Sequence, residues 1–238
     1  MTSTDIETRI AAQNWADARI ALNASGSAHL PGLLDPATCT AIAASYTDDS
    51  LFRSRIVMAR HGFGRGAYGY FAYPLPRTVA ILRAALYPWL QPIANDWAER
   101  LSSAIRFPDT HGAFRDRCHA AGQQRPTPLL LRYGPGDYNC LHQDLYGEHV
   151  FPLQVAVLLS QPGQDFTGGE FVLTEQRPRM QSRVEVVPLV QGDAVVFAVN
   201  HRPVRGGRGD YRVTMRHGVS TVRSGERHTM GIIFHDAA

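Results

Sequence analysis

The sequence predicts a mainly β fold, a double-sheet jelly roll preceded by helices, on three observations. From Pro126 onward, short apolar and β-branched segments alternate with Gly, Pro, Asp and Asn, as strands alternate with tight turns. Eight such segments occur there, and many short strands of this kind are typical of a double-sheet roll. The first 125 residues instead carry apolar residues at helical spacing. We therefore expect one domain of residues 1–238, in which 1–125 form a helical buttress for the roll of 126–238.

The first helices are marked by capping residues. Thr4-Asp-Ile-Glu7 fits a capping box, and apolar residues continue at roughly helical spacing to Leu22, which predicts one opening helix. A short extended piece follows near Ala28 to Leu30. Asp35-Pro36 then predicts a capped helix, with proline at its first position, that runs to about Tyr46.

A third helical region begins at Arg77 and contains two prolines. Proline inside a helix removes a backbone hydrogen bond and clashes with the preceding turn. Pro88 and Pro92 therefore predict two separate helices, Arg77 to Tyr87 and Ile93 to Ser103. The strands of the roll are predicted near Leu129–Tyr133, Cys140–Asp144, Leu153–Leu159, Gly169–Leu173, Val184–Leu189, Ala194–Val199, Arg212–Val219 and Thr229–Phe234.

Composition indicates an ordinary globular protein, with 44% hydrophobic and 19% charged residues. No apolar run reaches the roughly 18 residues of a membrane span, and the first residues lack a basic and then apolar leader. We therefore expect a cytoplasmic protein with no membrane partner. Cys39, Cys118 and Cys140 are widely spaced and odd in number, which predicts free thiols in a reducing compartment.

The net charge of +3 is too small to indicate nucleic-acid binding by itself. All 24 basic residues are Arg, which is consistent with a GC-rich coding sequence as much as with selection for phosphate contacts. Their distribution is more informative than their number, because five of them lie between Arg202 and Arg216.

A candidate metal site centres on His142 and Asp144, which follow a short apolar strand and a Gly/Pro turn. In an extended segment, side chains at i and i+2 point to the same side, so both can bind one metal ion. His217, in a β-branched segment, is the third candidate. His201 is its rival but lies in a Gly/Pro-rich loop that would not aim a ligand rigidly. Two His and one carboxylate leave positions open, as non-haem Fe(II) requires for reaction with dioxygen.

Arg227 stands ten residues after His217, at the head of the last predicted strand. A guanidinium there can bind the far carboxylate of a dicarboxylic co-substrate through two parallel hydrogen bonds. Position alone leaves open that Arg227 is one more surface arginine among 24. An isolated His-x-Asp would likewise be more often a turn-proximal histidine beside a solvated aspartate than a metal site.

Together these motifs resemble the Fe(II)/2-oxoglutarate-dependent dioxygenases, most closely their prolyl-4-hydroxylase-like branch. The chain is also similar to a small prokaryotic family of dioxygenases proposed to act on alkylated nucleic acid. The matching motifs are Arg132-Tyr133, His142-x-Asp144, the Thr167-Gly-Gly-Glu-Phe171 turn, Gly192-Asp-Ala-Val-Val-Phe197, His217-Gly-Val and Arg227.

The resemblance implies a double-stranded β-helix, the cupin-like jelly roll. It implies Fe(II) bound by His142, Asp144 and His217, with 2-oxoglutarate and O2 as co-substrates. Arg227 would anchor 2-oxoglutarate, and Tyr133 would give it a second hydrogen bond. Tyr133 could instead be a core aromatic residue with its hydroxyl at the mouth of the barrel.

The implied reaction is hydroxylation with release of succinate and CO2, which on an N-methyl group would lead to loss of formaldehyde. Three hypotheses for the function follow. The first is oxidative demethylation of alkylated nucleic acid, a form of DNA repair; the second is hydroxylation of a peptide, amino acid or other small metabolite. The third is a non-catalytic cupin that senses 2-oxoglutarate or metal, which the complete set of ligands and anchor argues against.

Substrate-binding residues are sought in two arginine-containing segments. Residues Arg60–Tyr73 combine two Arg, five aromatic residues and four Gly, and form either a substrate lid whose rings stack on a base or part of the core. The loop with Arg208 could approach phosphates of single-stranded or damaged nucleic acid, or be a solvated turn. Cys140 is expected to pack rather than bind metal. The candidate substrate residues are Arg60, Arg65, Tyr68, Tyr70, Arg202 and Arg205.

Overall fold

A computed structural model describes residues 1–238 as two antiparallel sheets with helices packed against one of them. The five helices are α1 (Ser3–Ala11), α2 (Trp15–Ser25), α3 (Pro36–Ala44), α4 (Arg77–Arg100) and α5 (His111–Ala120). The fifteen strands are β1 (Ser27–Leu30), β2 (Phe52–Val57), β3 (Gly64–Arg65), β4 (Ala67–Phe71), β5 (Leu129–Tyr133), β6 (Tyr138–His142), β7 (Leu153–Leu158), β8 (Phe166–Gly168), β9 (Phe171–Gln176), β10 (Arg183–Val187), β11 (Ala194–Ala198), β12 (His201–Gly206), β13 (Gly209–Val219), β14 (Val222–Gly225) and β15 (Arg227–Ile232). No helix combines the length and apolarity needed to cross a membrane.

The strands form the predicted jelly roll. A major sheet has the order β1-β11-β7-β15-β5-β4-β2, and a minor sheet has the order β10-β9-β13-β6-β3, with β12 paired to β13. The short strands β14 and β8 pair separately. All eight predicted strands of the roll are present, with shifts of a few residues at their ends. The fold class is therefore confirmed.

The largest hydrophobic core joins the helices to the major sheet. Leu86 of α4, Val155 of β7 and Val196 of β11 all belong to it and are fully buried. Removal of this much apolar surface from water is the main force that holds the helices against the sheet. A second, smaller cluster contains Tyr68 and Tyr133 and leaves space for the site described below.

The opening helix is divided, contrary to the prediction. The capping box is formed by Thr2 and Asp5 rather than by Thr4 and Glu7, and α1 ends at Ala11. The side chain of Asn14 then caps α2 by accepting a hydrogen bond from the amide of Asp17. The sequence signal that was missed is this second capping residue, Asn14, which divides the apolar periodic stretch into two helices.

In contrast, α4 continues through Pro88 and Pro92, so the prediction of two helices is wrong. Each proline removes one backbone donor. Leu86, Leu90 and Ile93 are buried on either side of the prolines, and this burial favours a continuous helix. The short helix α5, capped by Thr110, was not predicted, because its sequence is polar and has little apolar periodicity.

The segment Arg60–Tyr73, for which a lid and a core role were both left open, belongs to the core in its second half. Residues 67–71 form β4, an interior strand of the major sheet between β5 and β2, and Tyr68 and Tyr70 are buried. Glycine does not weaken the packing here, because the ring of Phe52 fills the space above Gly69, where a Cβ would lie 2.5 Å from it. In the first half, Arg60 and Arg65 are exposed, with Arg60 just before the short strand β3 and Arg65 within it.

A buried ion pair ties α4 to the C-terminal segment. Arg83 donates to Asp236 at 2.6 Å, and the two side chains are 2% and 0% exposed. Asp236 also accepts hydrogen bonds from His119 and Tyr73. Although burial alone would raise the pKa of Asp236, the charge of Arg83 and these hydrogen bonds hold it below its usual value.

We expect Asp236→Asn to lower the free energy of unfolding at neutral pH by about 1 to 3 kcal/mol, because the buried guanidinium loses its counter-charge. A carboxyl with a lowered pKa stabilises the fold above its unfolded pKa, and this stabilisation is lost as the pH falls through the folded value. The difference between the two proteins should therefore shrink in acid, below the ordinary value of 3.8.

Urea unfolding at a series of pH values measures this difference. Asp49→Asn is the matched control, since Asp49 is 87% exposed in its ion pair with Arg55. It should change stability by at most about 1 kcal/mol. Equal losses in both variants would show that the buried pair has no special role.

Candidate metal centre and co-substrate pocket

The three predicted metal ligands, His142, Asp144 and His217, lie together between the two sheets. One ligand atom from each lies within 4.8 Å of the others. His142 Nε2 is 3.6 Å from Asp144 Oδ1, and His217 Nε2 is 3.4 Å from Asp144 Oδ2. This group is the one cluster of His, Cys, Asp or Glu in the structure with metal-binding geometry.

Pairing of β6 with β13 brings the two histidines together. His217 is the direct cross-strand partner of His142, and the register then shifts before Val219. Gly218 stands at this shift, where a Cβ would lie 2.7 Å from the carbonyl oxygen of Asn139. Glycine therefore lets β13 approach β6 closely enough to aim His217 at Asp144.

The protonation states of the cluster favour metal binding. His142 Nδ1 lies 2.8 Å from the carbonyl oxygen of Cys140, which can only accept, so Nδ1 carries the proton and Nε2 is free. Burial lowers the pKa of His217, which keeps its ring neutral. Burial opposes ionisation of Asp144, but the neighbouring His217 and His142 rings and the hydrogen bond from the Tyr146 hydroxyl hold its pKa well below the usual range.

A cavity of about 300 Å³ extends from this cluster to the major sheet. Its walls are mainly apolar, and Arg227, Tyr133 and Thr229 line it from β15 and β5. Arg227 and Tyr133 are cross-strand partners, and the guanidinium carbon lies 5.5 Å from the centre of the Tyr133 ring. The predicted anchor and its predicted hydrogen-bonding partner therefore share one wall of the metal cavity.

Arg227 is a buried charge that no carboxylate neutralises. It is 1% exposed, it donates to Thr229 Oγ1, and its Nε has no partner. The hydroxyl of Tyr133 is also buried without a partner. Burial lowers the pKa of Arg227 only to about 10, so it remains charged at neutral pH. Unpaired buried groups of this kind are costly, and an anion bound in the cavity would satisfy them.

The candidate substrate residues are divided by the structure. Tyr68 lines the cavity, whereas Tyr70 hydrogen bonds to Tyr146. Arg60 and Arg65 are exposed on either side of Gly62 and Phe63, which line the cavity. These four therefore lie in or around the site.

Arg202 and Arg205 do not lie in or around the site. Arg202 is 1% exposed and pairs with Glu175 beneath the minor sheet, so a phosphate-binding role for it is wrong. Arg205 pairs in register with Asp210, seven residues along β13 from His217, or roughly 23 Å at the usual rise of a strand. The sequence showed a cluster of arginines, but the hairpin carries it away from the metal.

Cys140 is not part of the metal cluster, as expected, but it is exposed at the cavity rather than packed in the core. All three cysteines are free. The sequence interpretation missed Tyr146 and Phe63. Tyr146 continues the His142, Asp144 alternation by one step, and that spacing could have indicated it.

This fold and site define a 2-oxoglutarate- and iron-dependent dioxygenase. Residues 66–237 match the profile of the Oxygenase-NA family, described as an oxygenase catalysing oxidative methylation of damaged DNA. The chain belongs to this family. An uncharacterised protein of Mycobacterium tuberculosis is 54% identical over 174 residues, which are 73% of this chain and 75% of the relative.

Solved structures show the same fold at low sequence identity. A Pseudomonas putida prolyl-4-hydroxylase has a TM-score of 0.55 at 15% identity, over 94% of this chain and 99% of its own. An oxidoreductase of the 2OG-Fe(II) oxygenase family from Burkholderia pseudomallei has a TM-score of 0.56 at 17% identity, over 95% and 94%. A Trichoplax adhaerens prolyl hydroxylase, solved with a peptide fragment of hypoxia inducible factor, has a TM-score of 0.57 at 13% identity, over 99% and 94%.

Proposed function

We propose that this dioxygenase oxidises alkyl groups on single-stranded or damaged nucleic acid. The observation that carries the chemistry is the uncompensated Arg227, which faces the His142, Asp144 and His217 cluster across one cavity. Family membership and the exposed aromatic and basic loop at the cavity support the substrate class. Membership of an oxygenase family also favours an enzyme over a non-catalytic sensor.

The residues present fit iron and 2-oxoglutarate. Two neutral imidazoles and one ionised carboxylate are the donor set that suits Fe(II) and leaves positions for further ligands. Arg227, with its unpaired Nε, would bind the far carboxylate of 2-oxoglutarate, and the Tyr133 hydroxyl would donate to the same group. A dicarboxylic keto acid can contact both ends of the cavity, which a monocarboxylic acid of the same size cannot.

When bound, Fe(II) and 2-oxoglutarate supply the oxidation of a C–H bond by dioxygen, with succinate and CO2 as products. The residues of the chain position the co-substrate and the metal and shield the reacting groups from water. Arg227 and Tyr133 would hold the co-substrate at the major sheet, while His142, Asp144 and His217 would hold the metal at the minor sheet. Phe171, Phe197 and Leu131 in the walls exclude water from the reacting groups. On an N-methyl group, hydroxylation would be followed by loss of formaldehyde.

The loop before β4 gives the cavity a platform for a flat group. The rings of His61 and Phe63 are stacked 5.3 Å apart, and Phe63 is 47% exposed. The amide of Cys140 donates to the carbonyl of Phe63, so this platform is fixed to the metal strand. Arg60 and Arg65 lie within three residues of Phe63 and can approach phosphates of a strand whose base stacks there.

A succinate-release assay with Fe(II) and 2-oxoglutarate tests the proposal. Methylated single-stranded oligonucleotides should release succinate and formaldehyde above the rate seen with the same unmethylated oligonucleotides. Methylated duplexes, peptides and amino acids form the comparison set. Turnover with peptides or amino acids alone would support the small-substrate hypothesis and contradict the nucleic-acid proposal.

Salt dependence should separate the roles of the loop residues. Arg60→Ala and Arg65→Ala are each expected to lower the slope of log affinity for a single strand against log salt by roughly 0.7, through loss of one phosphate contact. Phe63→Ala should weaken binding by about 1 to 3 kcal/mol with little change in that slope, because ions do not screen stacking. Fluorescence anisotropy with a labelled oligonucleotide measures both.

The matched control is Arg205→Ala. Its side chain is 78% exposed and that of Arg65 is 63% exposed, but Arg205 lies on the distal hairpin. The slope should be unchanged in this variant. An equal change of slope in Arg205→Ala and Arg65→Ala would indicate diffuse attraction instead of a defined path for the strand.

A further inference from the structure

Two tyrosines connect the major sheet to the metal cluster. Tyr70 of β4 lies 3.1 Å from Tyr146, and the Tyr146 hydroxyl lies 2.7 Å from Asp144 Oδ1. An ionised carboxylate can only accept, so Tyr146 donates to Asp144, and Tyr70 must then donate to Tyr146. The result is a directed chain of two hydrogen bonds that ends on the carboxylate.

The two oxygens of Asp144 consequently have different surroundings. Oδ1 lies 3.6 Å from His142 Nε2 and also accepts from Tyr146, whereas Oδ2 lies 3.4 Å from His217 Nε2 and has no hydroxyl partner. The hydrogen bond from Tyr146 occupies a lone pair of Oδ1, while both lone pairs of Oδ2 stay available to an ion. The hydrogen-bond chain therefore favours Oδ2 as the oxygen that binds the metal.

This tyrosine relay, the hydrogen-bond chain from Tyr70 through Tyr146 to Asp144, is held in place by residues on the side away from the metal cluster. Gln123, 1% exposed, donates to the carbonyl of Tyr146 at 2.9 Å, and Gly147 packs directly on the Gln123 side chain. On the neighbouring strand β2 of the major sheet, the guanidinium carbon of Arg53 lies 4.5 Å from the centre of the Tyr70 ring. The main chain of Tyr146 and the ring of Tyr70 are thus held by groups outside the metal cluster.

We propose that Tyr146, oriented by Tyr70, is a positioning residue that restricts Asp144 to one-oxygen ligation of the metal. The proposal rests on the metal role of His142, Asp144 and His217. One-oxygen ligation matters because a second carboxylate oxygen would occupy a position that the keto acid needs. Tyr146 thereby couples metal binding to co-substrate binding without contact with either.

Metal titration of the full-length apoprotein tests the proposal without turnover. Tyr146→Phe, which removes only the hydroxyl, should bind Mn(II) about 10- to 100-fold more weakly, the usual effect of loss of a group that orients a metal ligand. Tyr70→Phe should weaken Mn(II) binding by about two- to threefold. The bond from Tyr70 only strengthens the bond from Tyr146 to Asp144, and this strengthening is a fraction of the energy of one hydrogen bond. In the double variant, loss of Tyr70 should add nothing, since it acts through Tyr146.

A second readout is 2-oxoglutarate affinity at saturating Mn(II). It should fall in Tyr146→Phe although Arg227 is intact, because Asp144 is then free to bind through both oxygens. Tyr87→Phe is the control, since its hydroxyl donates to Pro108 at 2.9 Å far from the metal. Both affinities should be unchanged in this variant.

Mn(II) affinity in Tyr146→Phe equal to that of the unmodified protein would overturn the proposal. If Tyr146→Phe is destabilised, unchanged Mn(II) affinity in Tyr70→Phe would overturn it as well. An unmodified protein that binds no Mn(II) would instead refute the metal assignment itself, and the relay with it. Strictly additive losses in the double variant would show two independent packing effects and no relay.

Discussion

His217→Ala should bind metal at least about 100-fold more weakly and lose detectable turnover of 2-oxoglutarate, because one of three protein ligands is removed from an open site. His142→Ala and Asp144→Ala should behave alike. Mn(II) titration of the apoprotein and succinate release with Fe(II) measure the two effects. The fold should persist, since the cluster adds little to the hydrophobic cores.

The control is His201→Ala, the rival third ligand in the sequence. His201 is the cross-strand partner of Thr214, three residues from His217 and on the opposite face of the sheet. This variant should keep both metal and turnover. Metal binding lost in His201→Ala and kept in His217→Ala would show that the third ligand is assigned wrongly.

The pair His142 and Asp144 was predictable because its spacing is local, whereas His217, 73 residues beyond Asp144, was joined to it by the resemblance of the ordered motifs to a known family. His142 and Asp144 are two residues apart after a strand, and His217 stands in a strand with β-branched residues and a following glycine. Such spacing survives moderate errors in strand boundaries, and β6 does end earlier than predicted, at His142. The position of Arg227 was predictable for the same reason, as the first residue of a strand that pairs in the sheet.

Residues whose roles depend on distant partners were not predictable. Burial of Tyr68 and Tyr70 follows from the pairing of β4 with β5, which is about sixty residues away in the chain and invisible to local pattern. Arg202 is buried because Glu175 neutralises it across the minor sheet. The sequence alone could not distinguish it from the exposed Arg205.

Arg227→Ala should keep metal binding but weaken 2-oxoglutarate binding by about 2 to 5 kcal/mol, roughly 30- to several-thousand-fold, the usual effect of truncating one partner of a buried charge pair. The 2-oxoglutarate affinity of Arg227→Lys should lie between that of Arg227→Ala and that of the unmodified protein, because a point charge replaces a planar group with two parallel donors. Calorimetric titration of the Mn(II)-loaded protein with 2-oxoglutarate measures the change. Unchanged affinity in Arg227→Ala would place the anchor elsewhere, with Arg212 and Arg223 as the next candidates.

Stability of the protein without ligand gives an independent check on the same residue. The guanidinium of Arg227 is buried without an ion pair, so the fold bears a desolvation penalty that an anionic ligand would offset. Arg227→Met, which keeps most of the volume and removes the charge, should raise the melting temperature of the ligand-free protein and abolish the further rise that 2-oxoglutarate produces. A lower melting temperature in Arg227→Met would mean that the arginine stabilises the fold by its contacts with Thr229 and the neighbouring rings, and that its charge is not held for a ligand.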